Sequence, residues 1–156
     1  MATAAEDTGA GDAGAGRRAL TPPQLLALVF GAVYLLVGIV GFFWTGGSHF
    51  ADRGGDDMLI GLFMVNPLHN IVHILVGIAG LVLARTLEGA RTYGWVLFVG
   101  YAAVSVYGFI AAGKSWDFLA INTADNVLHV VTALIGLGIA LAPTREDLGI
   151  RAARTA

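Results

Sequence analysis

The chain has 156 residues, 56% apolar and 13% charged, with mean hydropathy +0.74 and formal net charge −2. That is more apolar than a soluble domain ordinarily is, and the slight acidity speaks against a nucleic-acid partner. The absence of cysteine excludes disulfides, thiolate metal sites and cysteine nucleophiles.

Residues 1–20 are polar and of low complexity, with no apolar period. Such a stretch buries too little surface to offset its ordering entropy, and it is predicted to be a disordered cytoplasmic tail. Arg17 and Arg18 precede an apolar run, as in a secretory signal. That run, 25–44, is too long for a signal core and lacks a small-x-small cleavage site. It reads as a first transmembrane helix, opened by Thr21, Pro22 and Pro23. Further spans follow at 67–83, 93–112 and 123–141, the last stopped by Pro143. Each approaches the roughly 20 residues that cross a bilayer. The connection 45–57 is rich in glycine and charge and is expected in solvent. The apolar stretch 58–65 either extends the second helix or lies along the outer interface. Short connections predict an all-α, up-down-up-down four-helix transmembrane domain over 21–143, with a cytoplasmic tail at 144–156.

The second span opens on Asn66, a good N-cap, followed by Pro67, which suits the first helical position. Asn66, His69, Asn70, His73, Gly77 and Gly80 fall at steps of 3 and 4 and share one helix face. Asn66, Asn70 and His73 recur 56 residues later as Asn122, Asn126 and His129, with Asp125 where His69 stands. Tyr34, Val37, Gly41 and Phe42 recur 67 residues later as Tyr101, Val104, Gly108 and Phe109. Two helix pairs repeated in the same orientation imply a pseudo-two-fold axis along the membrane normal.

Arginine and lysine set the orientation. Arg17, Arg18, Arg85, Arg91, Arg145, Arg151 and Arg154 lie in the tails and the second connection, against Arg53 and Lys114 in the other two. The bias predicts cytoplasmic termini, with Trp44, Trp95 and Trp116 as interfacial anchors.

The segment 59–63 (LIGLF), Asn66 through His73 with Gly77 and Gly80, and Asn122 through Asn126 with His129 carry a family resemblance. Over about 24–141 the chain resembles a bacterial, mainly actinobacterial, family known as domain of unknown function 4383. The resemblance implies four spans and an inner-membrane location; it implies no activity.

Asn66, His69, Asn70, His73, Asn122, Asp125, Asn126 and His129 form the candidate cluster, opening toward the outer face. Polar and ionisable groups at membrane depth face the bundle interior and are paired or functional. The plainer reading is structural: capping by Asn66 and Asn122, an Asp125 complement to the helix dipole, and interhelical hydrogen bonds. Under it the protein is non-enzymatic and holds no cofactor, with the bilayer, a second copy or another membrane protein as its partners. The sharper alternatives are a haem b or divalent-metal site with His73 and His129 as ligands, and a proton or ion pathway using His69, His73, Asp125 and His129. No serine stands in register to act as a nucleophile. Gly31, Gly38, Gly41, Gly77 and Gly80 read as close-packing surfaces, and His49 as solvated.

Overall fold

The structure, a computed structural model, describes residues 19–53, 58–144 and 147. The two expected tails lie outside these, apart from residues 19, 20, 144 and 147. Four helices make an all-α bundle: α1 (Pro22–Thr45), α2 (Pro67–Leu83), α3 (Leu87–Ala111) and α4 (Thr123–Leu141). Three of them, α1, α3 and α4, are long and apolar enough to cross a membrane, while α2 is a shorter apolar helix of 17 residues.

Each helix starts where its first-turn N–H groups find acceptors. Asn66 accepts the N–H of His69 at 2.8 Å, and Thr86 that of Gly89 at 3.0 Å. Asn122 accepts from Asp125 at 3.0 Å while the Asp125 carboxyl accepts the Asn122 N–H at 2.9 Å, a reciprocal capping box. At the start of α1 the Thr21 N–H donates to Gln24 Oε1, and the Gln24 amide donates to the Ala84 carbonyl at the end of α2. That last bond satisfies a helix-end carbonyl which water would otherwise reach.

Two boundaries differ from the sequence reading. α3 begins at Leu87 rather than near residue 93, because Thr86 caps it and Glu88 favours the positive end of its dipole; the connection from α2 is only residues 84–86. The stretch before α2 is not an extension of that helix. It is a small antiparallel hairpin of β1 (Met58–Leu59) and β2 (Phe63–Met64), with Met58 opposite Met64 and Leu59 opposite Phe63. Gly61, at φ 71°, takes the left-handed conformation that its turn requires.

α1 packs along α2 and α3 along α4, and α2 and α4 share no close backbone contact. The glycines explain the tight pairs. A Cβ on Gly31 would lie 2.7 Å from the Leu81 nitrogen, and one on Gly80 would lie 2.7 Å from the Gly31 Cα. At the other end of the same pair, a Cβ on Gly38 would lie 2.6 Å from the Asn70 carbonyl oxygen. As α1 ascends its partner descends, so the pair is antiparallel. In the second pair, Gly94 meets Ala140 and Gly136, and Gly108 meets Asn126. Such small-residue contacts are how helices associate where no hydrophobic drive separates lipid from side chain. The outward faces are apolar and bare, with Phe43 84% and Phe109 71% exposed. An exposed apolar belt around a polar interior suits a protein whose surroundings are lipid.

Gly77→Val should disrupt the α1–α2 pair, because the new Cβ would overlap the Leu35 backbone; the expected cost is about 1–3 kcal/mol or more. Gly138→Ala, where a Cβ meets nothing within 4 Å, should be neutral or stabilising by about 0.5–1 kcal/mol. Thermal unfolding of both variants in detergent checks the contrast.

Candidate functional site

The eight polar residues on α2, on α4 and at their caps are distributed by the fold into three groups. The first ties the loops down. Asn66 donates through Nδ2 to the carbonyls of Asp52 at 3.2 Å and Phe118 at 2.8 Å, so the cap of α2 also fastens two connections. Asn122 donates to the Leu62 carbonyl at 2.8 Å, and the Asp125 carboxyl accepts the Met64 N–H at 3.2 Å. The cap of α4 therefore holds the hairpin.

The second group lies inside the helix pairs. Asn70 donates to the Thr45 hydroxyl at 3.0 Å and presses against Gly41, while Asn126 presses in the same way against Gly108. Neither reaches the centre of the bundle.

The third group does. His69 and His73 from α2 meet His129 from α4 across the gap that the helix backbones leave. The His69 and His73 ring centroids are 4.5 Å apart, and His69 and His129 are 5.7 Å apart. One ligand-capable atom from each of the three lies within 4.8 Å of those of the other two. All three are buried, His69 at 3% exposure as deeply as His73 at 6%. The helical step alone suggests that His69 sits nearer water, but the Leu119 segment of the last connection covers it. Both line the same cavity, and Asp117 braces the Leu119 segment by accepting the N–H groups of Leu119 at 3.3 Å and Ile121 at 2.8 Å.

Two tyrosines complete the centre. Tyr34 stands edge-on to His73 at 5.2 Å, Tyr101 lies 5.4 Å from His129, and the two tyrosine rings are 5.4 Å apart. Tyr34 shares a 2.8 Å hydrogen bond with Thr132, whereas the Tyr101 hydroxyl is buried without a partner. The Nδ1 atoms of His69, His73 and His129 are likewise buried without hydrogen bonds. Beside the histidines is a cavity of about 140 Å³, walled by Val72 and Val76 of α2 and Val96, Gly100 and Val104 of α3.

Sequence reasoning found the three histidines but not their company. Tyr34 and Tyr101 were visible as matching positions, Tyr34 one turn from Gly31 and Gly38 and Tyr101 two turns from Gly94 and Gly108. Thr132 and Asp117 gave no signal, since each acquires its partner only through the fold. Chemically, three neutral imidazoles converging from two helices can donate lone pairs to one ion, with a cavity left on one side.

Helices of membrane-spanning length, glycine-packed pairs and a buried polar seam define a small helical bundle of membrane type. The chain belongs to the family described as Domain of unknown function (DUF4383), whose model matches residues 24–142. No curated protein and no solved structure shows significant similarity to it.

Asp125→Ala should release the hairpin and cost about 1–3 kcal/mol, because the Met64 and Asn122 N–H groups lose their acceptor. Asp125→Asn, which keeps one acceptor oxygen, should cost less. Faster hydrogen exchange at the Met64 amide in the alanine variant checks the mechanism.

Proposed function

We propose that this protein is a multi-pass protein of the bacterial inner membrane that binds one divalent transition-metal ion among His69, His73 and His129. The observation that carries the proposal is the convergence of three buried imidazoles to within 4.8 Å, each with an unpartnered Nδ1. A buried polar atom left without a partner costs about 1–3 kcal/mol, so three in contact call for a common acceptor of their lone pairs. Binding brings the nitrogens from within 4.8 Å of one another to the roughly 3.4 Å separation of tetrahedral ligands at about 2.0–2.1 Å from the ion. Imidazole donors without thiolate suit zinc, cobalt, nickel or copper. A metal-binding histidine commonly gives its other N–H to a backbone carbonyl, and the Leu119 segment, fixed by Asp117, lines the same cavity as His69.

This places metal binding ahead of a purely structural role, because edge-on ring contacts leave the nitrogens unsatisfied. Haem gains no support. Its macrocycle needs a slot several times larger than 140 Å³, and the histidine rings already touch. A continuous proton path gains none either: from Tyr34 toward the opposite end the core passes to Ala27, Leu97 and Ile139, with the Tyr93 hydroxyl the one polar group among them.

The same reading takes the two helix pairs as repeats. The Tyr34–His73 and Tyr101–His129 contacts, and the Gly41–Asn70 and Gly108–Asn126 contacts, support a rotation that exchanges them. Orientation rests on the seven-to-two bias of basic residues, with both termini cytoplasmic.

Protein purified in mild detergent and dialysed against zinc or cobalt should retain about one ion per chain by elemental analysis, the number one site requires. His73→Ala and His129→Ala should lose it, and Asn70→Ala should keep it. Failure of the wild type to retain any of the four metals, or retention by a variant lacking all three histidines, would falsify the proposal. For orientation, single cysteines at Ser48 and Ser115 should react with an impermeant thiol reagent on intact cells, and one at Glu88 should not. The reverse pattern would overturn the assignment.

A further inference from the structure

We infer that the metal centre has one open coordination position, reached from the bilayer between α2 and α3, and that its exogenous ligand is a small neutral molecule about one aromatic ring in size with a single nitrogen or oxygen donor. The inference rests on the tri-histidine reading and adds an occupant and a route.

Three observations carry it. Three histidines leave a tetrahedral ion one position short, the arrangement of metal sites that take water or substrate. The cavity touches all three histidines and Tyr101, so the missing position faces free space and not packed protein. Its volume, about 140 Å³, is that of an apolar cavity that accepts a benzene-sized guest.

The walls choose the chemistry of the guest. They are mostly valine and leucine, with no lysine or arginine among them, so the bound ion alone would offset an anion's lost hydration, and an uncharged donor loses least on entering. A neutral molecule carrying one lone-pair donor satisfies both the ion and the walls. The buried Tyr101 hydroxyl, which has no partner of its own, can then hydrogen-bond to that molecule.

Gly100 marks the entrance. Most other helix glycines are held by close contacts, but a Cβ on Gly100 would meet nothing within 4 Å. Gly138 is similarly open and borders no cavity. Gly100 is exposed on α3, next to exposed Val96, where the wall of the cavity meets the outside of the bundle. Lack of a side chain there leaves the mouth unobstructed, and a larger residue would close it without straining the helix.

The test uses the full chain in lipid nanodiscs loaded with cobalt, whose visible d–d bands report its ligands. Pyridine should shift the bands saturably, and azide should need a higher concentration to do so. Gly100→Leu should keep the cobalt spectrum and the thermal transition while raising the pyridine half-saturation at least tenfold. Tyr101→Phe should keep cobalt and bind phenol several-fold more weakly. Bands that ignore pyridine, or an undiminished pyridine response in Gly100→Leu, would overturn the open, bilayer-facing position, and an azide response equal to that of pyridine would overturn the neutral ligand, each leaving metal binding intact. Absence of cobalt uptake would remove the metal reading, and this one with it.

Discussion

The fold depends on how closely two helix backbones can approach. Where Gly31 meets Gly80, and Gly94 meets Gly136, the main chains touch with no side chain between them. Dispersion between such surfaces, and not exclusion of water, holds helices together in an apolar solvent. Each pair is therefore a rigid plank, and the freedom left to the sequence lies in what fills the seam between the planks.

That seam is too wide for backbone contact between α2 and α4, and flat polar rings fill it. Five of them, Tyr34, His69, His73, Tyr101 and His129, form an unbroken series of contacts. Aromatic packing supplies about 0.5–1.5 kcal/mol per well-placed pair, comparable to the cost of leaving each heteroatom dry. The seam is balanced as packing and unbalanced as hydrogen bonding, and this imbalance makes a bound ion its natural complement. Tyr–His contacts stand on both sides, Tyr34 with His73 and Tyr101 with His129. His69 on α2, where α4 carries Asp125, gives one side a third imidazole and the other a carboxyl that anchors the hairpin.

Much of this was legible in the residues. Composition and apolar run length yielded the four helices, and the caps Asn66 and Asn122 marked the starts of α2 and α4 at the residue where they fall. The 3-and-4 spacing put His69 and His73 on the face that is buried. The hairpin was not legible, because six of its seven residues are apolar without alternation and their pairing depends on Asp125, some 60 residues away. The division of the polar stripe was hidden for a similar reason. A helix face is a broad arc, and whether Asn70 turns toward Gly41 or toward the centre depends on where α1 lies. Burial of His69 required knowing that the Leu119 segment folds over it.

The length of α2 has a further consequence. At about 1.5 Å per residue its 17 residues reach roughly 25 Å, some 5 Å short of a typical hydrocarbon core. Its neighbours α1 and α3, with 24 and 25 residues, are long enough to tilt. The lipid beside α2 must then thin or its chains must bend to meet the helix end, a hydrophobic mismatch confined to one flank of the molecule. In a bilayer, that mismatch falls at the ends of α2, and the thinnest lipid gathers along this flank alone.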